Sequence, residues 1–261
     1  MAFDLASISA GTRLRAPRII LLGVEKIGKS TFAAGSESPI FLPIKGEEGI
    51  DSINVSQFPV CYTLEDVHAA LYSLYSEKHE YGTVVIDSAS AMEPIIHGGI
   101  CAAAGEKTIN NGKLAYGAGV ELAGIAWKSL TERIDSLRAD RNMASIIIGH
   151  VKVKRFDDPA GSSYDQYQFD IHDKTANLLY RWADVILFCN TKVVVKEEKL
   201  GFHKDNVRKR GIDVTGGERF LYTQKRPSHP GGGRGVFGQL PYELPLNWGS
   251  YMDAVSAATP A

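Results

Sequence analysis

The sequence predicts an α/β fold with a mainly parallel central sheet flanked by helices. Short apolar runs, typical of strands buried on both faces, alternate with longer segments whose apolar residues recur at helical spacing. This alternation favours parallel strands joined by right-handed helical crossovers. The composition agrees, since 44% of the 261 residues are hydrophobic and 23% are charged, as in globular proteins with a sizeable core.

Five apolar runs are predicted to form the strands of this sheet, namely Ile19–Leu22, Ile40–Ile44, Thr83–Ile86, Ala144–Ile148 and Val185–Phe188. Three amphipathic segments are predicted to be helices: Leu64–Tyr75, which Thr63 can cap, Val120–Leu137, whose apolar positions include Ile125, and Asp173–Trp182. After Asn190, stretches rich in Thr and Val between Gly-rich turns predict a C-terminal β-hairpin extension. The glycines of His229–Gly238 predict a loop.

We expect one domain over residues 17–250, preceded by a flexible arm (1–16) and followed by a flexible tail (251–261). No run approaches the roughly 18 apolar residues that span a bilayer, and no signal peptide is evident, so we expect no membrane partner. Three scattered cysteines argue against a disulfide scaffold and favour the cytoplasm. The net charge of −1 excludes a globally basic nucleic-acid coat but not a local basic surface.

One motif predicts a nucleoside triphosphate site. Residues Gly23 to Ser30 read GVEKIGKS and fit the pattern GxxxxGK[ST], with a predicted strand before them and a helix-forming segment after them. In such a loop, glycines let the backbone turn its N–H groups towards phosphate oxygens, and the helix dipole adds positive potential. The expected phosphate-binding residues are Gly23, Glu25, Lys26, Ile27, Gly28, Lys29, Ser30 and Thr31.

A magnesium site is predicted beside this loop. Asp87 directly follows the third apolar run, and its carboxylate can hold Mg²⁺ together with the hydroxyl of Ser30. As an alternative, Asp87 could cap a helix that begins near Ser88.

Hydrolysis needs a base or a water-orienting group near the terminal phosphate. Glu47 and Glu48 follow the second apolar run, and His150 follows the fourth, so all three are candidates at the carboxyl edge of the sheet. A solvated loop for the two acids and a packed histidine are the alternatives.

The order of these motifs resembles the RecA-type ATPase core, in which the Glu-containing turn after the second strand carries the catalytic acid; this favours Glu47 over Glu48. His150 stands where this superfamily usually has a Gln that senses the γ-phosphate. The chain is more closely similar to phage-encoded RecA-like ATP-binding proteins, from about Pro17 to Trp248. The segments that carry the resemblance include Tyr116–Gly119, Gly149–Lys154, Tyr164–Tyr167, Leu178–Leu187, Gly217–Pro227 and Leu240–Trp248.

The resemblance implies ATP and Mg²⁺ as ligands and an ATPase that depends on single-stranded DNA, in recombination, annealing or repair within a bacterial host cytoplasm. It also implies head-to-tail self-assembly into a filament or ring, and a single-strand-binding protein as a further partner. Lys225 and Arg226 match a hairpin whose basic residues reach the phosphates bound by the neighbouring subunit. The pattern Phe3-x-x-Ala6 is similar to a tether between subunits in some RecA relatives.

Basic stretches are candidates for DNA contact, because cations that follow sheet strands can neutralise phosphates. The expected residues are Lys152, Lys154, Arg155, Lys204, Arg208, Lys209 and Arg210. Tyr164, Tyr167 and Phe169 are expected in a nearby loop, poorly ordered without nucleic acid, where they could stack on unpaired bases. Ordinary solvated loops and a small satellite core are the alternative.

Three other functions fit a P-loop. A GTPase is disfavoured because the sequence lacks an NKxD guanine motif. A small-molecule kinase would need an acceptor pocket that the sequence does not indicate. A helicase-loader or packaging module would use the same core for assembly without DNA strand pairing.

Overall fold

The computed structural model describes residues 8, 15–47, 49–158, 161–199, 207–213 and 216–259, with backbone only for 193–199 and 207–213. The expected arm, with its Phe3 and Ala6, lies almost wholly outside the described residues. So do Glu48 and Lys204.

The strands follow one another along the chain as β1 (Arg18–Gly23), β2 (Pro39–Pro43), β3 (Ser56–Gln57), β4 (Thr83–Asp87), β5 (Ala144–Gly149), β6 (Val151–Phe156), β7 (Tyr164–Phe169), β8 (Val185–Thr191), β9 (Val193–Lys199), β10 (Val207–Asp213), β11 (Arg219–Tyr222), β12 (Gly232–Gly233) and β13 (Glu243–Pro245). The helices are α1 (Lys29–Ala34), α2 (Leu64–Ser76), α3 (Ala89–Ala104), α4 (Ala118–Arg141), α5 (Asp173–Trp182) and α6 (Trp248–Ala258). Within these described residues, no helix is both long and apolar enough to cross a bilayer.

The main sheet has the strand order β13-β11-β8-β1-β5-β4-β2-β3. The five predicted strands form its parallel centre, in the order β8-β1-β5-β4-β2, and β3 continues it in parallel at one edge. At the other side β11 pairs antiparallel with β8, and β13 pairs antiparallel with β11. The mainly parallel sheet, flanked by helices and extended by C-terminal β-strands, confirms the predicted RecA-like P-loop fold class.

Both faces of the sheet are covered, which explains why its strands are continuous apolar runs. Along β1, Ile20 and Leu22 enter the core shared with α2, α3, α4 and α5, whereas Ile19 and Leu21 enter the core shared with α1 and α6. All four side chains are fully buried. Successive residues of a strand point to opposite faces, so a strand covered on both sides must be apolar at every position.

The predicted cap of α2 is confirmed. The Thr63 hydroxyl accepts a hydrogen bond from the Asp66 N–H at 3.1 Å, and the Asp66 carboxylate accepts one from the Thr63 N–H at 2.9 Å. This reciprocal pair satisfies backbone donors that the first turn of a helix leaves without partners.

Two predictions about the C-terminal region are wrong. The expected flexible tail from residue 251 belongs to α6, which packs Tyr251 and Val255 into the core; Tyr251 contacts the ring of Phe32. The expected loop at His229–Gly238 contains β12 and a short 3₁₀ helix, Gly235–Gln239, whose Phe237 is buried. Burial of a few apolar side chains orders segments whose Ala- or Gly-rich composition suggests mobility.

Two further expectations fail in detail. Ile125 lies on α4 as predicted, but 64% of it is exposed rather than packed in the core. Tyr164, Tyr167 and Phe169 lie on β7, which pairs antiparallel with β6 in a hairpin instead of forming a loop. Phe169 is buried in the core, and Tyr167 is partly buried with its ring packed against Phe188.

Candidate nucleotide site

The predicted phosphate-binding loop joins β1 to α1. Gly28 directly precedes α1 with φ of 106°, a left-handed conformation that a side chain would strain. The Lys29 ammonium donates hydrogen bonds to the carbonyl oxygens of Gly23, at 3.0 Å, and Val24, at 2.9 Å. The lysine is therefore held inside the curve of the loop by uncharged acceptors.

Gly23 is required for packing rather than for the curvature that the sequence suggests. A side-chain carbon at this position would lie 2.6 Å from the carbonyl oxygen of Cys189, on the adjacent β8. Only glycine allows β1 and β8 to approach so closely at the start of the loop.

Burial lowers the pKa of Lys29, although the nearby carboxylates of Asp87 and Glu47 partly offset this effect. A buried ammonium without a bonded anion gains free energy when an anion arrives. The loop is thus chemically suited to a phosphate group.

Asp87 ends β4 next to the loop, and its Oδ2 accepts a hydrogen bond of 2.6 Å from the Ser30 hydroxyl. Burial raises the pKa of Asp87, as does the negative charge of Glu47. Asp87 is not the cap of α3, because Ser88 occupies that position and its hydroxyl accepts the Ala91 N–H at 3.2 Å. Asp87 therefore remains available for a metal.

The residues present fit Mg²⁺. The Ser30 hydroxyl and the Asp87 carboxylate, which are in contact, offer hard oxygen ligands. In nucleotide sites, Mg²⁺ is typically bound by one or two such side chains together with phosphate oxygens and waters. The part of the chain that the structure describes contains no cluster of three or more His, Cys, Asp or Glu side chains suited to a metal. A cluster of that kind would be expected where protein side chains alone bind the metal, without phosphate oxygens.

Glu47 and His150 meet beside this pair. Glu47 Oε1 lies 2.8 Å from His150 Nε2 and accepts a 2.6 Å hydrogen bond from the Ser88 hydroxyl. Burial opposes ionisation of Glu47, but the hydrogen bonds from His150 and Ser88 outweigh it and hold the pKa of this carboxyl below its usual value. Glu47 is thus an oriented carboxylate, ionised at neutral pH.

Ser88 is a site residue that sequence reasoning missed. Its hydroxyl joins the start of α3 to Glu47, because it accepts from the Ala91 N–H and donates to the carboxylate. Its place directly after Asp87 was the available signal, since that position is at the same sheet edge as the metal ligand.

A single open cleft of about 610 Å³ brings these groups together. Its lining comprises Glu25, Lys26, Ile27, Gly28, Lys29, Ser30, Thr31, Gly46, Glu47, Gly49, Ser52, Ile53, Asp87, His150 and Arg219. The size falls in the range of small-molecule and cofactor sites. Every predicted residue of the loop except Gly23 lines the cleft, as do the predicted catalytic and metal residues; Arg219 was not predicted.

Lys225 and Arg226 lie away from this cleft. The Arg226 guanidinium is 4.1 Å from the centre of the Tyr242 ring, and its backbone pairs with His229 in a turn. Lys225 lines a different cleft, together with Lys154 and Arg155.

The basic residues of the β6–β7 hairpin are paired with acids, which their sequence neighbourhood did not indicate. Three ion pairs form: Lys152–Asp170 at 3.1 Å, Lys154–Asp173 at 2.7 Å and Arg155–Asp157 at 3.6 Å. On β10, the strand register places Arg208, Lys209 and Arg210 opposite Glu198, Glu197 and Lys196. In the described structure, these three DNA-contact candidates therefore already have acidic neighbours.

Comparison with known proteins gives the family. A family model described as AAA domain matches residues 15–235. A search of curated protein sequences returned no match. Among solved structures, the RadB recombinase resembles this chain with 14% identity and a TM-score of 0.40, over 80% of this chain and 89% of that chain. The matched region covers most of the chain and contains the phosphate-binding loop, Asp87, Glu47 and His150. The chain therefore belongs to the AAA domain family.

Proposed function

We propose that this protein is a Mg²⁺-dependent, RecA-like ATPase that acts on single-stranded DNA. One observation carries the ATPase part of this proposal: the Glu47 carboxylate, oriented by Ser88 and His150, lines the same cleft as the phosphate-binding loop and Asp87. A cleft built only to bind a nucleotide would not need an ionised, aligned carboxylate beside the place for the terminal phosphate.

The loop residues hold the triphosphate in this proposal. Backbone N–H groups around Gly28 and the start of α1 donate to phosphate oxygens, and the Lys29 ammonium exchanges its two carbonyl acceptors for phosphate. Ser30 and Asp87 hold Mg²⁺, which when bound neutralises developing charge on the phosphates.

Glu47 is the proposed general base. Its lowered pKa keeps it ionised at neutral pH, so it can accept a proton from a water molecule or orient that water towards the γ-phosphate. The Ser88 hydroxyl and the His150 ring fix one carboxylate oxygen and leave the other for water.

His150 is the proposed link between nucleotide and DNA. It lies between β5 and β6, and its ring contacts Glu47 while its backbone leads directly into the β6–β7 hairpin. A change in the Glu47–His150 contact when the γ-phosphate binds or leaves would be transmitted to the hairpin through this short connection.

The proposed DNA contacts are Lys152, Lys154 and Arg155 on this hairpin, Arg208, Lys209 and Arg210 on β10, and Lys204, which precedes β10 in the sequence. The ion pairs of the first three are exposed, and exposed pairs contribute only about 0–1 kcal/mol, so their exchange for DNA phosphates costs little. Self-assembly, with Lys225 and Arg226 reaching the neighbouring subunit's nucleotide, belongs to the same proposal.

An ATPase assay with and without single-stranded DNA tests the proposal. We expect hydrolysis that requires Mg²⁺ and is strongly stimulated by DNA. GTP preference, phosphate transfer to a metabolite, or binding without turnover would instead indicate a switch, a kinase or an assembly module.

A pair of variants tests the DNA contacts. Lys152→Ala with Lys154→Ala should weaken binding of single-stranded DNA and reduce its salt dependence, by about 0.7 in log–log slope for each lost phosphate contact. The matched control is Lys128→Ala, which removes an exposed lysine from an ion pair on α4. DNA affinity and salt slope equal to those of the control would refute the assignment.

A further inference from the structure

The strand order divides the nucleotide cleft into two sides. Asp87 ends β4, and Glu47 and His150 follow β2 and β5; all three strands lie on one side of β1. On the other side of β1 lie β8, β11 and β13. All the groups proposed for hydrolysis therefore stand on the first side, around the place of the terminal phosphate.

Arg219 stands on the second side. It begins β11 and pairs with Thr191 at the carboxyl end of β8, so it lies at the same sheet edge as the phosphate-binding loop. Its Nη1 is 3.1 Å from the point where a side-chain carbon of Gly28 would be, and Leu246 comes within 3.8 Å of that point. The guanidinium thus reaches over the loop from β11.

The guanidinium of Arg219 has no partner among the described residues. In the ranges that the structure describes, it makes no hydrogen bond or ion pair, although it lines the cleft and is exposed. By contrast, Arg18 and Arg138 pair with Asp184, and Arg226 lies over Tyr242. A cation that lines an anion-binding cleft without a counter-ion is ready for a phosphate group.

We propose that Arg219 binds the nucleotide within the same chain, at the α-phosphate, and so marks the side of the cleft where the nucleoside lies. This inference rests on the proposed nucleotide site. With the terminal phosphate beside Glu47 and Asp87, and the loop around the middle of the polyphosphate, the remaining phosphate extends past Gly28 towards β8 and β11. Among the described Lys and Arg residues that line the cleft, Arg219 is the one that reaches it from the β8–β11 side.

The assignment separates two kinds of basic residue. Lys225 and Arg226 lie outside the cleft of their own chain and are proposed to act on a neighbouring subunit. Arg219 needs no neighbour, so its contribution is present in the monomer and is independent of assembly.

Binding of Mg-ATP and Mg-ADP, measured by isothermal titration at a protein concentration that keeps the chain monomeric, tests the inference. Arg219→Ala should weaken both ligands by the same factor, about tenfold to a hundredfold, as expected for a lost charged hydrogen bond. Arg219→Lys should recover part of this affinity. The control Arg133→Ala removes an exposed arginine from α4 and should bind both ligands like the wild type.

Two results would overturn the inference: unchanged affinity of Arg219→Ala for both nucleotides, or a loss of affinity for ATP alone, which would place the guanidinium at the γ-phosphate.

Lys29→Ala, measured in parallel, tests the underlying nucleotide site. If Lys29→Ala binds like the wild type, the nucleotide site itself is wrong; if only Arg219→Ala does so, the site stands and this inference falls. Equal melting temperatures of Arg219→Lys and the wild type verify that the comparison concerns binding.

Discussion

Replacing Glu47 by glutamine removes the charge and basicity of this side chain with little change in its shape. Glu47 Oε1 accepts from the Ser88 hydroxyl at 2.6 Å and lies 2.8 Å from His150 Nε2, and the amide oxygen of glutamine can occupy the same position. The phosphate-binding loop, Ser30 and Asp87 make no hydrogen bond to Glu47 in the described structure. We therefore expect Glu47→Gln to bind Mg-ATP with an affinity close to that of the wild type.

Hydrolysis should respond very differently. A positioned general base contributes about 10²–10⁴ to a rate, and at about 1.4 kcal/mol for each factor of ten this corresponds to roughly 3–5 kcal/mol of barrier. The turnover number of Glu47→Gln should fall by that factor, and its nucleotide affinity should not.

The pH dependence supplies a second readout of the same group. Because the pKa of Glu47 is lowered in the folded protein, its ionised form persists to pH values below the ordinary glutamate pKa, and activity is lost only as the pH falls through the folded pKa. His150→Ala removes one of the two hydrogen bonds that lower this pKa. The acid limb of its rate profile should therefore move to higher pH.

The assay combines steady-state phosphate release from about pH 3, below the ordinary glutamate pKa, to pH 8 with titration of Mg-ATP into each variant. Ser136→Ala, which alters an exposed hydroxyl on α4 away from the cleft lining, is the matched control and should change neither quantity. Turnover by Glu47→Gln within threefold of the wild type would refute the assignment of Glu47 as the base. So would an equal loss of nucleotide affinity, since the residue would then be a binding group.

Three further predictions concern the metal site and the fold. Asp87→Asn should abolish the Mg²⁺ dependence of nucleotide binding yet raise the melting temperature of the ligand-free protein at pH 7. Burial raises the pKa of Asp87 in the folded state, so the ionised carboxylate lowers the stability of the folded protein once the pH has risen through the unfolded pKa. A lower melting temperature of the variant would contradict this. Thr63→Ala should destabilise the protein by about 1 kcal/mol, seen as a decrease in melting temperature of roughly 2–4 °C, because the reciprocal cap with Asp66 is lost; no decrease would contradict the cap's role. Trp127→Ala should lower the free energy of unfolding, measured in urea, by about 3–5 kcal/mol, because its side chain is fully buried. Ile125 is exposed on the same helix, and Ile125→Ala should change this free energy by no more than about 0.5 kcal/mol. Similar losses for both variants would be inconsistent with the packing described.

The sheet and the phosphate-binding loop were predictable because local sequence determines them. A strand covered on both faces must be apolar at every residue, and a loop that curls around a phosphate needs glycine at Gly28 and a cation beside it. The position of Asp87 followed from the same rule, since parallel strands bring their carboxyl ends to one edge.

Contacts between distant segments were not predictable in the same way. Glu47 and His150 are 103 positions apart, and their shared edge could be expected from strand ends but their hydrogen bond could not. Arg219 reaches Gly28 only because β11 pairs antiparallel beside β8, an arrangement that no local pattern specifies. The ion partners of Lys152 and Lys154 come from residues that follow the hairpin, so counting charges along the chain misses them.

Composition misled where a few side chains decide the packing. The Ala-rich segment after Asp253 resembles a frayed end, yet Tyr251 and Val255 fix it against the sheet. The Gly-rich segment near Phe237 is ordered in the same way, because one buried ring outweighs the flexibility of its neighbours.

A crystal structure with Mn²⁺ and a non-hydrolysable ATP analogue tests the central claim most directly, because the anomalous signal of manganese locates the metal without reference to the protein. We expect the metal beside Ser30 and Asp87, the terminal phosphate within reach of Lys29 and Glu47, and the nucleoside on the β8–β11 side of the loop. An analogue bound elsewhere, or a metal away from Ser30 and Asp87, would contradict the proposed site.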